Sequence, residues 1–130
     1  MIASDPERMK AMHELADLAP ANGIETAAWA LLCLIVGFSE ELVFRGYLQR
    51  QFIGWTHGRV GLGALATAVV FGGAHAYQGV RGIVLIAAFG ALFSMLAIYR
   101  RSLRAGMIAH CWHDLISGLA LAFLRSNHFI

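Results

Sequence analysis

At 130 residues the chain has room for a single domain. It is 58% hydrophobic and 14% charged, with a mean hydropathy of +0.63, a balance that excludes an ordinary water-soluble globule and makes the lipid bilayer the first expected partner. The net charge of +2 is small, and the basic residues do not alternate with aromatics, which argues against a nucleic-acid partner.

Residues 1–22 read as a separate N-terminal segment. Asp5 and Pro6 suit the start of a helix. Met9, Met12, Leu15, Ala16 and Ala19 then share one face, while Glu7, Arg8, Lys10, Glu14 and Asp17 lie elsewhere, and Pro20 ends the pattern. This predicts a short amphipathic helix at the membrane interface or on the bundle, with a soluble arm as the alternative. The segment lacks a basic region followed by an apolar core, so insertion is expected to rest on the internal apolar segments.

Residues 23–126 carry those segments. Helix one is expected from about Ile24 to Phe52, apolar from Thr26 to Phe38 and then polar, with Ser39, Glu40, Glu41, Arg45, Gln49 and Arg50. About 20 residues are needed to cross a bilayer, so the two glutamates must lie in or near the membrane if this segment spans. A polar loop, residues 54–59, leads to helix two (Val60 to Tyr77), which is uncharged until His75 and has a thin side at Gly61, Gly63, Gly72 and Gly73. A short loop predicts an antiparallel helix three (Ile83 to Tyr99), read as scaffold. The basic cluster Arg100, Arg101 and Arg104 precedes helix four (Ala105 to Leu124). The sum is an all-α polytopic membrane helix bundle of about four transmembrane helices plus the short N-terminal amphipathic helix. Arg50, Arg59, Arg100, Arg101 and Arg104 fall at one end and Arg8, Lys10, Arg81 and Arg125 at the other, too even a division to orient the bundle. Cys33 and Cys111 lie in apolar segments and read as free buried thiols.

Ionisable groups at lipid depth are costly and point to function. Glu41 and Arg45 are four apart with the acid first, the favourable order for an ion pair on one helix face. Glu40 is turned about 100° from Glu41 and has no local cation, so it is free to take a proton from water. Phe71 and His75 are one turn apart, so the ring can orient the imidazole. His110, His113 and Asp114 crowd one face of helix four. Blander readings stand beside these: glutamates solvated among headgroups, a structural His75, a hydrogen-bonded cluster on helix four. The histidine–carboxylate spacing also fits a metal ion, with Glu40, His75, His110 and Asp114 as candidate ligands. Neither a His-Glu-x-x-His run nor a Gly-x-Ser-x-Gly elbow is present. What the residues support is water activated by carboxylate and imidazole. A peptide-sequestering immunity or regulatory protein, or a proton or divalent-cation carrier, are the alternatives.

In order, Glu40-Glu41-Leu42-Val43-Phe44-Arg45, Phe71-Gly72-Gly73-Ala74-His75 and His110-Cys111-Trp112-His113-Asp114 resemble the three motifs of the CPBP family. That family of intramembrane endopeptidases takes in the Rce1-type CAAX prenyl proteases and the bacteriocin-immunity (Abi) proteins. The resemblance runs from Ile24 to Leu124. It implies a membrane endopeptidase acting on a peptide or membrane-protein substrate, in a multi-pass chain of a bacterial or archaeal plasma membrane. By position, Glu40 matches the glutamate that activates water and His75 the imidazole that helps hold it. Glu41 and Arg45 match the supporting ion pair, and His110 and Asp114 the pair that stabilises the oxyanion. The family has been described both as zinc-dependent and as metal-free, so the resemblance leaves the cofactor as none or a divalent metal such as zinc. Asn is frequent where this chain has Asp114; an aspartate donates to an oxyanion only when protonated, but can ligate a metal directly. Four helices are only the family's core, so a prenylated substrate is not implied.

Overall fold

A computed structural model describes Lys10, His13, Glu14 and residues 16–127. The described residues contain no strand. The elements are α1 (Gly23–Glu40), a π-helical segment (Glu41–Leu48), α2 (Gln49–Trp55), α3 (Val60–Ala74), a 3₁₀ turn (Ala76–Gln78), α4 (Gly79–Arg100) and α5 (Arg104–Ser126). The protein is an all-α membrane helix bundle. Three helical stretches, Gly23–Trp55, Ala76–Arg100 and Arg104–Ser126, are long and apolar enough to cross a membrane. The fourth apolar helix, α3, has 15 residues, roughly 22 Å of rise.

The distribution of side chains is that of a protein dissolved in lipid. Leu31, Leu34, Ile35, Leu65, Val69, Leu85, Leu92 and Ile116 are exposed. The interior instead collects small or polar residues: Ala64, Thr67, Ala68, Gly90, Ser94, Ala97 and Gly106 are buried. With lipid outside, apolar burial supplies little drive for association, and close backbone approach takes its place. α3 and α4 show this best. A Cβ on Gly72 would stand 2.6 Å from the Ile83 carbonyl oxygen and 2.8 Å from Ala87 Cβ. Gly72→Ala should therefore push α4 away and cost about 1–3 kcal/mol, read as a lower unfolding midpoint of the purified protein in detergent.

Helix α1 begins at a reciprocal cap. The Asn22 side chain accepts from the Glu25 amide at 3.0 Å, and the Glu25 carboxylate accepts from the Ala21 amide at 2.7 Å. Of the N-terminal segment, Lys10, His13, Glu14, Ala16 and Asp17 are helical. Asp5, Pro6, Met9, Met12 and Leu15 lie outside the described residues. Ala16 and Ala19 are buried, and the Ala16 carbonyl accepts from Arg125 Nη1 at 3.2 Å, so this end of the segment packs on the bundle.

Two departures from the sequence reading matter for the site. Helix one runs unbroken to Trp55, but its winding loosens to π-helix over Glu41–Leu48. In α winding, a row of residues four apart drifts about 40° per step around the axis; looser winding counters that drift. Glu41, Arg45 and Gln49 accordingly all face inward, at 0%, 2% and 4% exposure. A π segment is rare and concentrates at functional sites. Helix two, expected to reach Tyr77, stops at Ala74 after the weak helix formers Gly72 and Gly73. His75 (φ −103°, ψ 26°) therefore leaves the helix instead of lying on it, and α4 starts at Gly79, before the expected Ile83.

Candidate active site

The site is built around Glu41, which is wholly buried. Arg45 Nη1 lies 3.0 Å from its Oε1, and Arg45 Nη2 donates to the Gly90 carbonyl of α4 at 3.0 Å. The guanidinium also lies over the Phe71 ring, 4.3 Å from its centroid, a desolvated cation–π contact. On the other side α5 presses its backbone onto the carboxylate: a Cβ on Gly106 would come within 2.7 Å of Glu41 Oε2. One buried ion pair thus ties the π segment to α3, α4 and α5.

One turn beyond Gly106, His110 is 5% exposed. Its Nδ1 is 3.2 Å from Glu41 Oε1, and its ring stacks on Phe93 of α4 (centroids 5.0 Å, interplanar angle 19°). A carboxylate paired with arginine accepts hydrogen bonds only, so Nδ1 carries the hydrogen and donates to Glu41. That leaves Nε2 facing Glu40 Oε2 at 3.6 Å and Asp114 Oδ2 at 3.6 Å. The adjacent glutamates, turned apart around the helix, therefore address the two nitrogens of one imidazole.

His75 is fixed in the same way. Its Nδ1 donates to the Phe71 carbonyl at 2.9 Å, since a carbonyl can only accept. The Phe71 ring lies 5.0 Å from it by centroids. Nε2 then faces Glu40 Oε1 at 3.9 Å. Glu40 is thus flanked by two imidazole Nε2 atoms, each aimed by a partner on its own Nδ1, while its side chain keeps 26% exposure. One carboxylate and two ring nitrogens thus offer acceptors to a single point at the helix surface.

The remaining expected residues sit at the edge. Asp114 Oδ1 is 3.1 Å from His113 Nδ1, and His113 is exposed and lies against Phe89 (centroids 4.6 Å). Of the cysteines, Cys33 is buried but Cys111 is half-buried, and both are free. The Cys111 Sγ lies over Gly37 of α1, away from the imidazoles. Among the described residues no three His, Cys, Asp or Glu side chains stand in the arrangement of a metal site.

Sequence reasoning missed four contributors. They are the Gly90 carbonyl, the Phe93 ring, the Gly106 notch and the second role of Glu41 as the acceptor for His110. Only Gly106 left a signal, as a small residue one helical turn before a histidine in an apolar segment.

No curated protein and no solved structure matches the chain at a significant level. A family model does: the type II CAAX prenyl endopeptidase Rce1-like family matches residues 22–116. That span contains the π segment, His75, His110 and Asp114, and the chain is a member of the Rce1-like family of CAAX-type membrane endopeptidases.

Proposed function

We propose that the protein hydrolyses peptide bonds within the membrane by a water molecule activated at Glu40. The observation that carries this reading is the Glu40 carboxylate lying between the Nε2 atoms of His75 and His110, at 3.9 and 3.6 Å. Glu40 takes one proton from the water while His75 Nε2 accepts a hydrogen bond from the other, and the resulting hydroxide adds to the peptide carbonyl. The negative oxygen that develops is stabilised from the side of His110 and Asp114. Donation from His110 Nε2 requires the doubly protonated ring, and donation from Asp114 requires its protonated carboxyl; His113, 3.1 Å from Asp114, is the neighbouring group able to exchange that proton. Glu40 then passes its proton to the leaving amine, and the C–N bond breaks. Glu41 and Arg45 take no part in bond making and hold His110 in place. The substrate is a peptide segment that reaches the bundle from the membrane.

The test is a comparison of membrane proteomes carrying wild-type or Glu40→Ala protein at equal abundance. Cleaved membrane peptides should appear with the wild type and vanish with Glu40→Ala. An identical set of fragments in both would end the proposal. An immunity-type function that survives Glu40→Ala would replace it with a binding role.

A further inference from the structure

At the α4–α5 turn the chain carries a group of cations. Tyr99, Arg100, Arg101, Ser102, Arg104 and Ala105 line a concave pocket of about 680 Å³. The sequence has no Asp or Glu between Glu41 and Asp114. Among the described residues, none of the three arginines has a carboxylate partner. The helices alternate in direction through short turns, so the Thr56–Arg59 turn lies at the same end of the bundle and adds Arg59. Among the described residues these two turns are cationic, with no Asp or Glu in either.

The backbone shapes the pocket. Arg101 caps the C-terminus of α4 in the left-handed conformation (φ 49°, ψ 33°), a position where glycine or asparagine is the usual occupant. An arginine there is less favourable than glycine. The left-handed turn also reverses the chain between Arg100 and Arg104, so residues from the end of α4 and the start of α5 line one concavity. Tyr99 is 85% exposed at a helix end, where aromatic residues mark the headgroup level of a bilayer.

We propose that this pocket binds the phosphate headgroup of an anionic phospholipid, independently of any proteolytic activity. Guanidinium groups grip phosphate oxygens in paired hydrogen bonds, and the α5 N-terminus favours negative charge. A membrane lipid is the occupant because the pocket opens at the ends of two bilayer-length helices, where headgroups are already concentrated. Binding should also stiffen the turn beneath it. Leu103 Cδ1 would stand 3.0 Å from a Cβ on Gly46, and Gly106 abuts the Glu41 carboxylate, so the turn is seated on the π segment.

The test uses the whole protein in nanodiscs of phosphatidylcholine, with and without phosphatidylglycerol. Bound lipid is measured by native mass spectrometry and the unfolding midpoint by heating. Each arginine near an anionic surface is worth about fivefold in affinity. The variant Arg100→Gln/Arg101→Asn/Arg104→Gln should therefore lose phosphatidylglycerol retention by about a hundredfold and lose its thermal shift. Arg81→Gln, at the opposite end of α4, should retain both. The three single variants, each about fivefold weaker, serve if the triple variant does not fold. Equal retention by wild type and variants would overturn the proposal, as would equal loss on Arg81→Gln. Displacement of the lipid by inorganic phosphate at low concentration would identify a free anion as the ligand and would equally overturn it.

Discussion

Glu40→Gln should insert and accumulate as the wild type does and cleave about 10²–10⁴ times more slowly, the range spanned by loss of a general base. The substitution keeps shape and volume and removes only the ability to take a proton. It should cost little stability, because Glu40 lies outside the buried ion pair and its side chain is partly exposed. The companion variant is His75→Ala, which removes the imidazole on the other side of the attacking water while leaving the Glu41–Arg45–His110 group intact. Groups that act as a unit lose their effect together, so Glu40→Gln/His75→Ala should be no slower than the slower single variant. Rates multiplying in the double variant would mean that the two residues act in separate steps. Undiminished turnover by Glu40→Gln would remove the general base from the mechanism altogether.

What the sequence made legible was whatever lies within one turn of helix. Glu41 and Arg45, four apart, are ion-paired; Phe71 and His75, four apart, touch through both ring and backbone. The opposite turning of Glu40 and Glu41 was legible too, and it sends them to different nitrogens of His110. Contacts between helices were legible only through the three motifs, which grouped Glu40, His75, His110 and Asp114; the others depend on how each helix is rotated about its axis. The α4 scaffold looked featureless, yet it supplies the Gly90 carbonyl to Arg45 and the Phe93 ring to His110. Neither contribution has a signature: one is backbone, and the other is one phenylalanine in an apolar segment. The π winding also escaped, since it depends on backbone hydrogen bonds that residue types do not announce. The end of α3 was misjudged because an apolar run was taken to continue its helix, whereas Gly72 and Gly73 are weak helix formers. That early end is what frees His75 to turn toward Glu40.

Arg45→Ala should be the most damaging single change in the protein, at about 3–5 kcal/mol of stability, the cost of leaving one member of a buried ion pair without the other. Glu41 is wholly buried, so water cannot replace the guanidinium. The same change removes the hydrogen bond to Gly90 and the contact with Phe71, loosening α3 and α4 together. The pair itself need not stabilise the fold relative to an apolar one, since buried pairs replaced by apolar residues of similar volume are often neutral or better. Glu41→Leu/Arg45→Leu should therefore unfold closer to the wild-type midpoint than Arg45→Ala does. It should nevertheless remain inactive, because His110 Nδ1 has lost its acceptor at 3.2 Å and nothing fixes which nitrogen faces Glu40. Midpoints measured in detergent, set beside cleavage rates, separate the two effects. A double variant as unstable as Arg45→Ala would mean that the pair's own attraction holds the helices together. A stable and fully active double variant would show that His110 needs no carboxylate to aim it, and the supporting role assigned to Glu41 would fall.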